Sequence, residues 1–179
     1  AFDPAVMTDP KGILYNPVRR IGEAWVVSNG DQTDAIRDCF AVGRPWEEAL
    51  RASTFKQDAP DFTPRISGIV KVKDGAMKYK LSILKSDGGN EASVERFFFE
   101  YPQPVAGEGR FIHTYQENLN PLPSFEGEPR RVAITAPDAG TLAKELWENL
   151  NEDNKVSLFV RYIDLATGNV DDRIINKNV

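Results

Sequence analysis

The chain has 179 residues, 41% hydrophobic and 27% charged, a size and composition that suit one domain around a single core over 1–179. Its 22 basic and 27 acidic residues leave a net charge of -5, which argues against nonspecific binding to nucleic acid, where phosphate neutralisation supplies most of the affinity. One cysteine excludes an intrachain disulfide and fits a reducing, cytoplasmic setting, and no apolar run approaches the ~20 residues of a membrane span.

The first sixteen residues read as an extended lead-in punctuated by Pro4, Pro10 and Gly12, with a short strand over 13–16. Ala1-Phe2-Asp3-Pro4 brings neither an initiator Met nor the charged and apolar regions of a signal peptide, so a segment is expected to be missing ahead of it. A second strand is predicted over 24–28, followed by a Ser28-Asn29-Gly30-Asp31 turn. Asp31 is placed to cap a helix that carries Ile36, Cys39 and Phe40 on one face. Pro45 suits the first position of a second helix, with Glu47 and Glu48 at its positive end and Trp46, Ala49 and Leu50 as its buried stripe.

After Pro64 the apolar period changes to two. Strands over 65–73 and 76–85 flank Asp74-Gly75, a strong hairpin signal, and Met77, Tyr79, Leu81 and Ile83 are expected to face inward while Lys78, Lys80 and Ser82 stay wet. Further strands are predicted over 93–101, 109–116 and 130–136. A third helix is predicted over 138–151 with Leu142, Leu146, Trp147 and Leu150 on one side. A final hairpin pairs 155–164 with 169–176 across Ala166-Thr167-Gly168-Asn169. Helices clustered at two places among runs of strands indicate an α+β protein with mostly antiparallel sheet rather than alternating βαβ units.

The residues for most familiar chemistries are missing. His113 is the single histidine, and no HxxxH, DxD or CxxC grouping offers a metal site. Cys39 falls on an apolar helix stripe, where an inert buried thiol is the ordinary reading. No GxSxG, GxGxxG or GxxxxGK[ST] pattern occurs.

Three segments carry more polar function than plain loops require. Tyr15-Asn16-Pro17-Val18-Arg19 sets a phenol, an amide and a guanidinium together. Ser28-Asn29-Gly30-Asp31-Gln32-Thr33-Asp34 feeds a helix N-terminus able to present backbone N–H groups to an anion or carbonyl. Asp58-Ala59-Pro60-Asp61-Phe62-Thr63-Pro64-Arg65 leads from the helices into the first long strand. Each also has an ordinary reading, as strand-ending turn, helix cap or ion pair. The residues alone leave these alternatives open.

In these segments the sequence resembles a known family. The succession Tyr15-Asn16-Pro17-Val18-Arg19, Val26-Val27-Ser28-Asn29-Gly30, Thr33-Asp34 and Thr63-Pro64-Arg65-Ile66 is similar to that of the inosine monophosphate (IMP) cyclohydrolases of the archaeal type. Phe111-Ile112-His113-Thr114-Tyr115, the stretch from Pro123 to Arg130 and the stretch from Asn154 to Tyr162 look like the bacterial branch of that family. The resemblance implies a four-layer α/β/β/α sandwich similar to the N-terminal-nucleophile hydrolases, without their autocatalytic nucleophile. It also implies a cofactor-free and metal-free cyclisation of a formylated aminoimidazole carboxamide ribonucleotide, in a homo-oligomer that needs no nucleic acid or membrane.

Under that resemblance Tyr15 shuttles a proton, and Asn16, Asn29, Gly30 and Asp34 orient the base or ribose. Arg19 and Arg65 take the phosphate or lock a carboxylate, and His113 and Tyr115 complete the substrate contacts. The family pattern carries a glutamate shortly before Thr-Pro-Arg; here the neighbourhood is Phe55-Lys56-Gln57-Asp58, so Asp58 is the nearest carboxylate for the base. The family's phosphate-binding Gly-Arg strand has no counterpart before Ala1. Two other activities stay open at this point: another amide-bond enzyme on the same fold, or a noncatalytic nucleotide-binding module.

Overall fold

The structure, a computed structural model, describes residues 15–178. Its centre is a five-stranded antiparallel sheet in the order β1-β2-β3-β4-β5, built from β1 (Val18–Ile21), β2 (Ala24–Ser28), β3 (Arg65–Lys73), β4 (Ala76–Asp87) and β5 (Asn90–Tyr101). The β3–β4 turn is the Asp74-Gly75 pair, with φ of 51° and 75°, the left-handed backbone that a tight two-residue hairpin demands.

Helices α1 (Gln32–Ala41) and α2 (Trp46–Arg51) cover one face of this sheet. Ala24, Val26, Ile69 and Leu84 from the strands meet Ile36, Trp46, Ala49 and Leu50 from the helices, with Cys39, Phe40 and Phe98 packed at the margin. Fully buried side chains such as Leu50 and Leu84 each contribute about 1.5–3 kcal/mol by leaving water.

Two smaller antiparallel pairs follow: β6 (Glu108–Phe111) with β7 (Arg130–Ala133), and β8 (Ser157–Ile163) with β9 (Val170–Asn176). Helix α3 (Ala139–Asn149) lies on the β8–β9 pair through Ala139, Ala143, Leu142, Val160, Leu158, Tyr162 and Ile175. Asp138 caps it by accepting from the Thr141 N–H at 2.8 Å. The class is therefore α+β with mostly antiparallel sheets. Helices cover one face of each layer pair; on the other face of the large sheet Trp25, Val72, Ile83 and Lys85 are nonetheless buried. Val27 and Phe97 stay 47% and 40% exposed on that face, and Phe159 and Ile174 stay 37% and 64% exposed on the face of the hairpin away from α3.

Several local expectations change. Of the strand predicted over 13–16, residues 13 and 14 lie outside the described residues, as does most of the lead-in. Tyr15 and Asn16 are irregular, and the strand starts at Val18 because Gly22, at φ 57°, turns it into β2. Pro45 sits just outside α2, in an extended conformation. In β4 Ile83 is buried as expected, but the helices take the opposite face, that of Lys80, Ser82 and Leu84, because Glu47 of α2 neutralises Lys80 at 2.5 Å and Leu84 fills the core; Met77, Tyr79 and Leu81 are only half-buried.

In α3 the small residues Ala139 and Ala143 take the close approach to the hairpin, leaving Leu146 and Leu150 exposed. The strands predicted over 109–116 and 130–136 are shorter. Pro121, Pro123 and Pro129 between them supply no N–H for a longer ladder. A narrow pairing of Tyr115 with Ser124 takes its place.

Candidate functional site

The end of β2 and the start of β3 are neighbours in the sheet, so the turn into α1 faces the segment that leads into β3. Asn29 joins them. Its Nδ2 donates to the Pro64 carbonyl at 2.8 Å, and its Oδ1 accepts from the Ile66 N–H at 2.9 Å and from Gln32 Nε2 at 3.2 Å. The Asn29 carbonyl in turn accepts from Arg65 Nη1 at 3.2 Å.

Gly30 is required there: a Cβ at this position would stand 2.2 Å from Arg65 Nη1. Asp31 has helical backbone and makes no side-chain cap; its carboxylate lies 3.6 Å from Arg65 Nη2 instead, a correction to the capping expectation. The Ser28 and Thr33 hydroxyls both reach the Gly30 carbonyl, at 2.9 and 3.0 Å, and fix the turn from beneath. The Arg65 side chain is 12% exposed and lines a cavity of about 370 Å³ with Asp31, Gln32, Ser53, Lys56 and Gln57. Beside it Gln32 Oε1 is buried without a hydrogen-bond partner among the described residues.

A second cluster forms around Asp58. Its Oδ1 accepts from the Thr63 N–H at 2.7 Å and its Oδ2 from Thr63 Oγ1 at 2.6 Å, while Lys56 Nζ stands 3.2 Å away. Burial pushes the Asp58 carboxyl up, but the two Thr63 hydrogen bonds and the Lys56 ammonium outweigh it and hold the group below the usual aspartate value. The loop is closed by Phe62 in left-handed backbone, φ 43°, whose ring meets Phe55 edge-on at 5.7 Å.

Tyr115 joins this cluster from 52 residues away, with its phenol oxygen 2.6 Å from Thr63 Oγ1. His113 Nδ1 lies 2.6 Å from the Tyr115 carbonyl, which accepts only, so Nδ1 is the donor. Nε2 is buried without a hydrogen-bond partner among the described residues, and the ring is held between Phe111 at 5.1 Å and Phe125 at 4.6 Å.

The remaining candidates lie elsewhere. Arg19 Nε donates to Asp34 at 3.1 Å, and Arg37 joins the same carboxylate at 3.0 Å, so these three tie β1 to α1 at the surface. Tyr15 is half-buried and Asn16 exposed; they precede Pro17, whose carbonyl accepts from the Ser28 N–H at 3.0 Å, beside Asn29. The structure thus brings Asn29, Gly30 and Arg65 into one cluster and Asp58, Tyr115 and His113 into another. Residues 63–66 are common to both. Arg19 and Asp34 belong to neither.

Sequence reasoning missed two participants. Thr63 was visible only as part of a motif; the signal was a hydroxyl in the residue that a following proline keeps extended. Lys85, 8% exposed, lines a cavity of about 670 Å³ with Asp61, Ser124 and Glu126, and stands 3.5 Å from Glu95. No local pattern sets it apart from the other strand lysines.

A family model described as IMP cyclohydrolase-like protein matches residues 1–169. The chain is 30% identical over 145 residues to the IMP cyclohydrolase of Methanopyrus kandleri, covering 69% of this chain and 67% of that one. It is 29% identical over 133 residues to the IMP cyclohydrolase of Methanothrix thermoacetophila, covering 64% and 65%. A shorter match, 40% over 67 residues, covers 36% of this chain and 33% of an IMP cyclohydrolase of Methanococcus maripaludis. The chain thus spans about two thirds of the first two relatives and one third of the last.

Proposed function

The chain belongs to the IMP cyclohydrolase-like family, and from that premise we propose that it closes the second ring of the purine base. In the proposed reaction the carboxamide nitrogen of the formylated ribonucleotide bonds to the formyl carbon, and a proton passes from that nitrogen to the formyl oxygen. The new hydroxyl then leaves as water with the proton of the formamide nitrogen, and a C=N bond completes the six-membered ring.

A carboxamide nitrogen is a weak nucleophile, so confinement carries much of the acceleration, up to ~7–11 kcal/mol where two groups are held in contact. Proton transfer supplies the rest. Arg65 and the opening turn of α1 form the anion end, since a guanidinium and the positive end of a helix both favour phosphate. Tyr15 is the proton shuttle, and Tyr115, anchored through Thr63 and Asp58, contacts the reacting carboxamide. Asn16, Gly30 and His113 line the base and ribose, and Asn29 positions Arg65 through its carbonyl. Arg19 and Asp34 hold β1, and with it Tyr15, against α1.

The observation that carries this reading is the segment Thr63-Pro64-Arg65-Ile66, which sets the hydroxyl of the phenol cluster two residues from the guanidinium of the anion cluster. In extended backbone that is roughly 6–7 Å along the chain, a separation within the length of one nucleotide. The test is the purified protein with the formylated ribonucleotide and no added metal or cofactor, followed by absorbance as the purine forms. Turnover is expected; tight binding with no product would sink the reading.

Apolar residues left exposed on the sheet faces away from the helices support the finer architecture. Stacking the face with Val27 and Phe97 on the face with Phe159 and Ile174 gives the α/β/β/α order of layers. Self-association into a homo-oligomer is part of the same proposal. Among the described residues no helix is long and apolar enough to cross a membrane. A cytoplasmic site for the reaction is consistent with the single cysteine.

A further inference from the structure

We infer that Thr63 and Asp58 are positioning residues that fix the Tyr115 phenol as a hydrogen-bond acceptor for the carboxamide N–H of the substrate, an inference that rests on the cyclohydrolase reading. An ionised carboxylate accepts only, and Asp58 is held ionised, so the 2.6 Å contact obliges the Thr63 hydroxyl to spend its single proton on Asp58 Oδ2. Thr63 Oγ1 then has only lone pairs to offer. The 2.6 Å contact to Tyr115 is therefore donated by the phenol, and the chain runs in one direction from Tyr115 O–H to Thr63 O–H to the carboxylate.

Two consequences follow for the chemistry. The phenol cannot turn its proton toward a bound substrate without abandoning Thr63, so the lone pairs of its oxygen face outward. An amide N–H that donates to this oxygen is held in one orientation rather than left free to turn. Asp58 itself stands two hydrogen bonds from that atom and is stabilised as the anion, which makes it a poor proton acceptor. Its effect is exerted through Thr63.

The backbone reinforces the arrangement. Thr63 is bound twice by the same carboxylate, through its N–H at 2.7 Å and through its hydroxyl, and Pro64 behind it is fully buried. The Tyr115 carbonyl is fixed independently by His113 Nδ1 at 2.6 Å, so both ends of the tyrosine are held.

The test compares Thr63→Val, Thr63→Ser and Asp58→Asn in the full chain. With the formylated ribonucleotide, Thr63→Val and Asp58→Asn are expected to lower kcat by about 30-fold or more, with KM within about threefold, and Thr63→Ser to recover most of the wild-type kcat. Equal defects in Thr63→Ser and Thr63→Val overturn the inference, because the methyl and not the hydroxyl is then at work. A Thr63→Val enzyme with wild-type kcat overturns it as well.

Nuclear magnetic resonance on the ligand-free protein supplies a readout independent of turnover. A slowly exchanging Tyr115 hydroxyl proton is expected in the wild type and in Thr63→Ser, and is expected to vanish in Thr63→Val. If the wild type does not cyclise the substrate, the cyclohydrolase reading fails; the hydroxyl signal still judges the direction of the chain, and its absence from the wild type refutes it.

Discussion

Arg65 occupies the space that a side chain on Gly30 would need: the missing Cβ falls 2.2 Å from Nη1 and 2.5 Å from the guanidinium carbon. The obstructing atoms are the end of a flexible side chain, so Gly30→Ala is expected to displace the guanidinium more than it unfolds the protein. Stability should fall near the lower end of the ~1–3 kcal/mol typical of overpacking. KM should rise about tenfold or more, as expected for losing a charge-assisted contact worth ~1.5–3 kcal/mol. Urea denaturation and steady-state kinetics measure the two effects separately; an unchanged KM would argue against Arg65 as the anion ligand.

Asn29 is the reverse case, a residue whose removal is felt first in stability. Asn29→Ala leaves the Ile66 N–H and the Pro64 carbonyl without their partner. The expected cost is about 2–4 kcal/mol, two part-buried polar groups losing their bonds. A denaturation midpoint equal to the wild type would show that water replaces both.

Tyr15→Phe keeps the ring and removes one oxygen. If the phenol moves a proton in the reaction, kcat drops by about 100- to 10,000-fold while product binding, measured by calorimetry, changes little. Parallel losses in binding and rate would reassign Tyr15 to substrate recognition.

The pH dependence of stability has two limbs. Burial pushes the Glu47 carboxyl up, but the Lys80 hydrogen bond, with smaller contributions, holds it below its ordinary value; Asp58 is lowered in the same way by Thr63. Groups depressed in the folded state contribute fully above their unfolded value, about pH 4, and lose that contribution as pH falls through the folded one. Burial pushes the Lys80 ammonium down, but Glu100 and Glu47 outweigh it, so its contribution persists below about pH 10.5 and fades as pH rises beyond. Glu47→Gln is expected to flatten both limbs in chemical denaturation run across pH. An acid limb as steep as in the wild type would remove Glu47 from the account.

The sequence carried the local structure well and the long-range structure poorly, for identifiable reasons. The bounds of β2 and the Asp74-Gly75 turn follow from side-chain propensity and positive φ, both properties of a few adjacent residues. In β4 the inward place of Ile83 was legible, but the burial of Ser82 on the opposite face was not, because Met77, Tyr79 and Leu81 outweigh it in hydrophobicity. The choice of face was made instead by Glu47 and Leu84 meeting the helices. Thr63 and Tyr115, 52 residues apart, share no periodic signal that could link them, since their contact depends on the path of two loops. The sites were legible as segments, through Asn29, Asp58 and Arg65, but not as partners.

The shared segment 63–66 bears on how such a chain can drift. Pro64 is gripped by Asn29 and Thr63 by Asp58, and Arg65 grips Asn29 in return, so each of these side chains is a boundary condition for the next. A replacement tolerated at one of them alters what the others accept. Five positions are therefore expected to change in concert across divergent sequences, and grafting one relative's version of a single position into another should fail more often than transplanting the set.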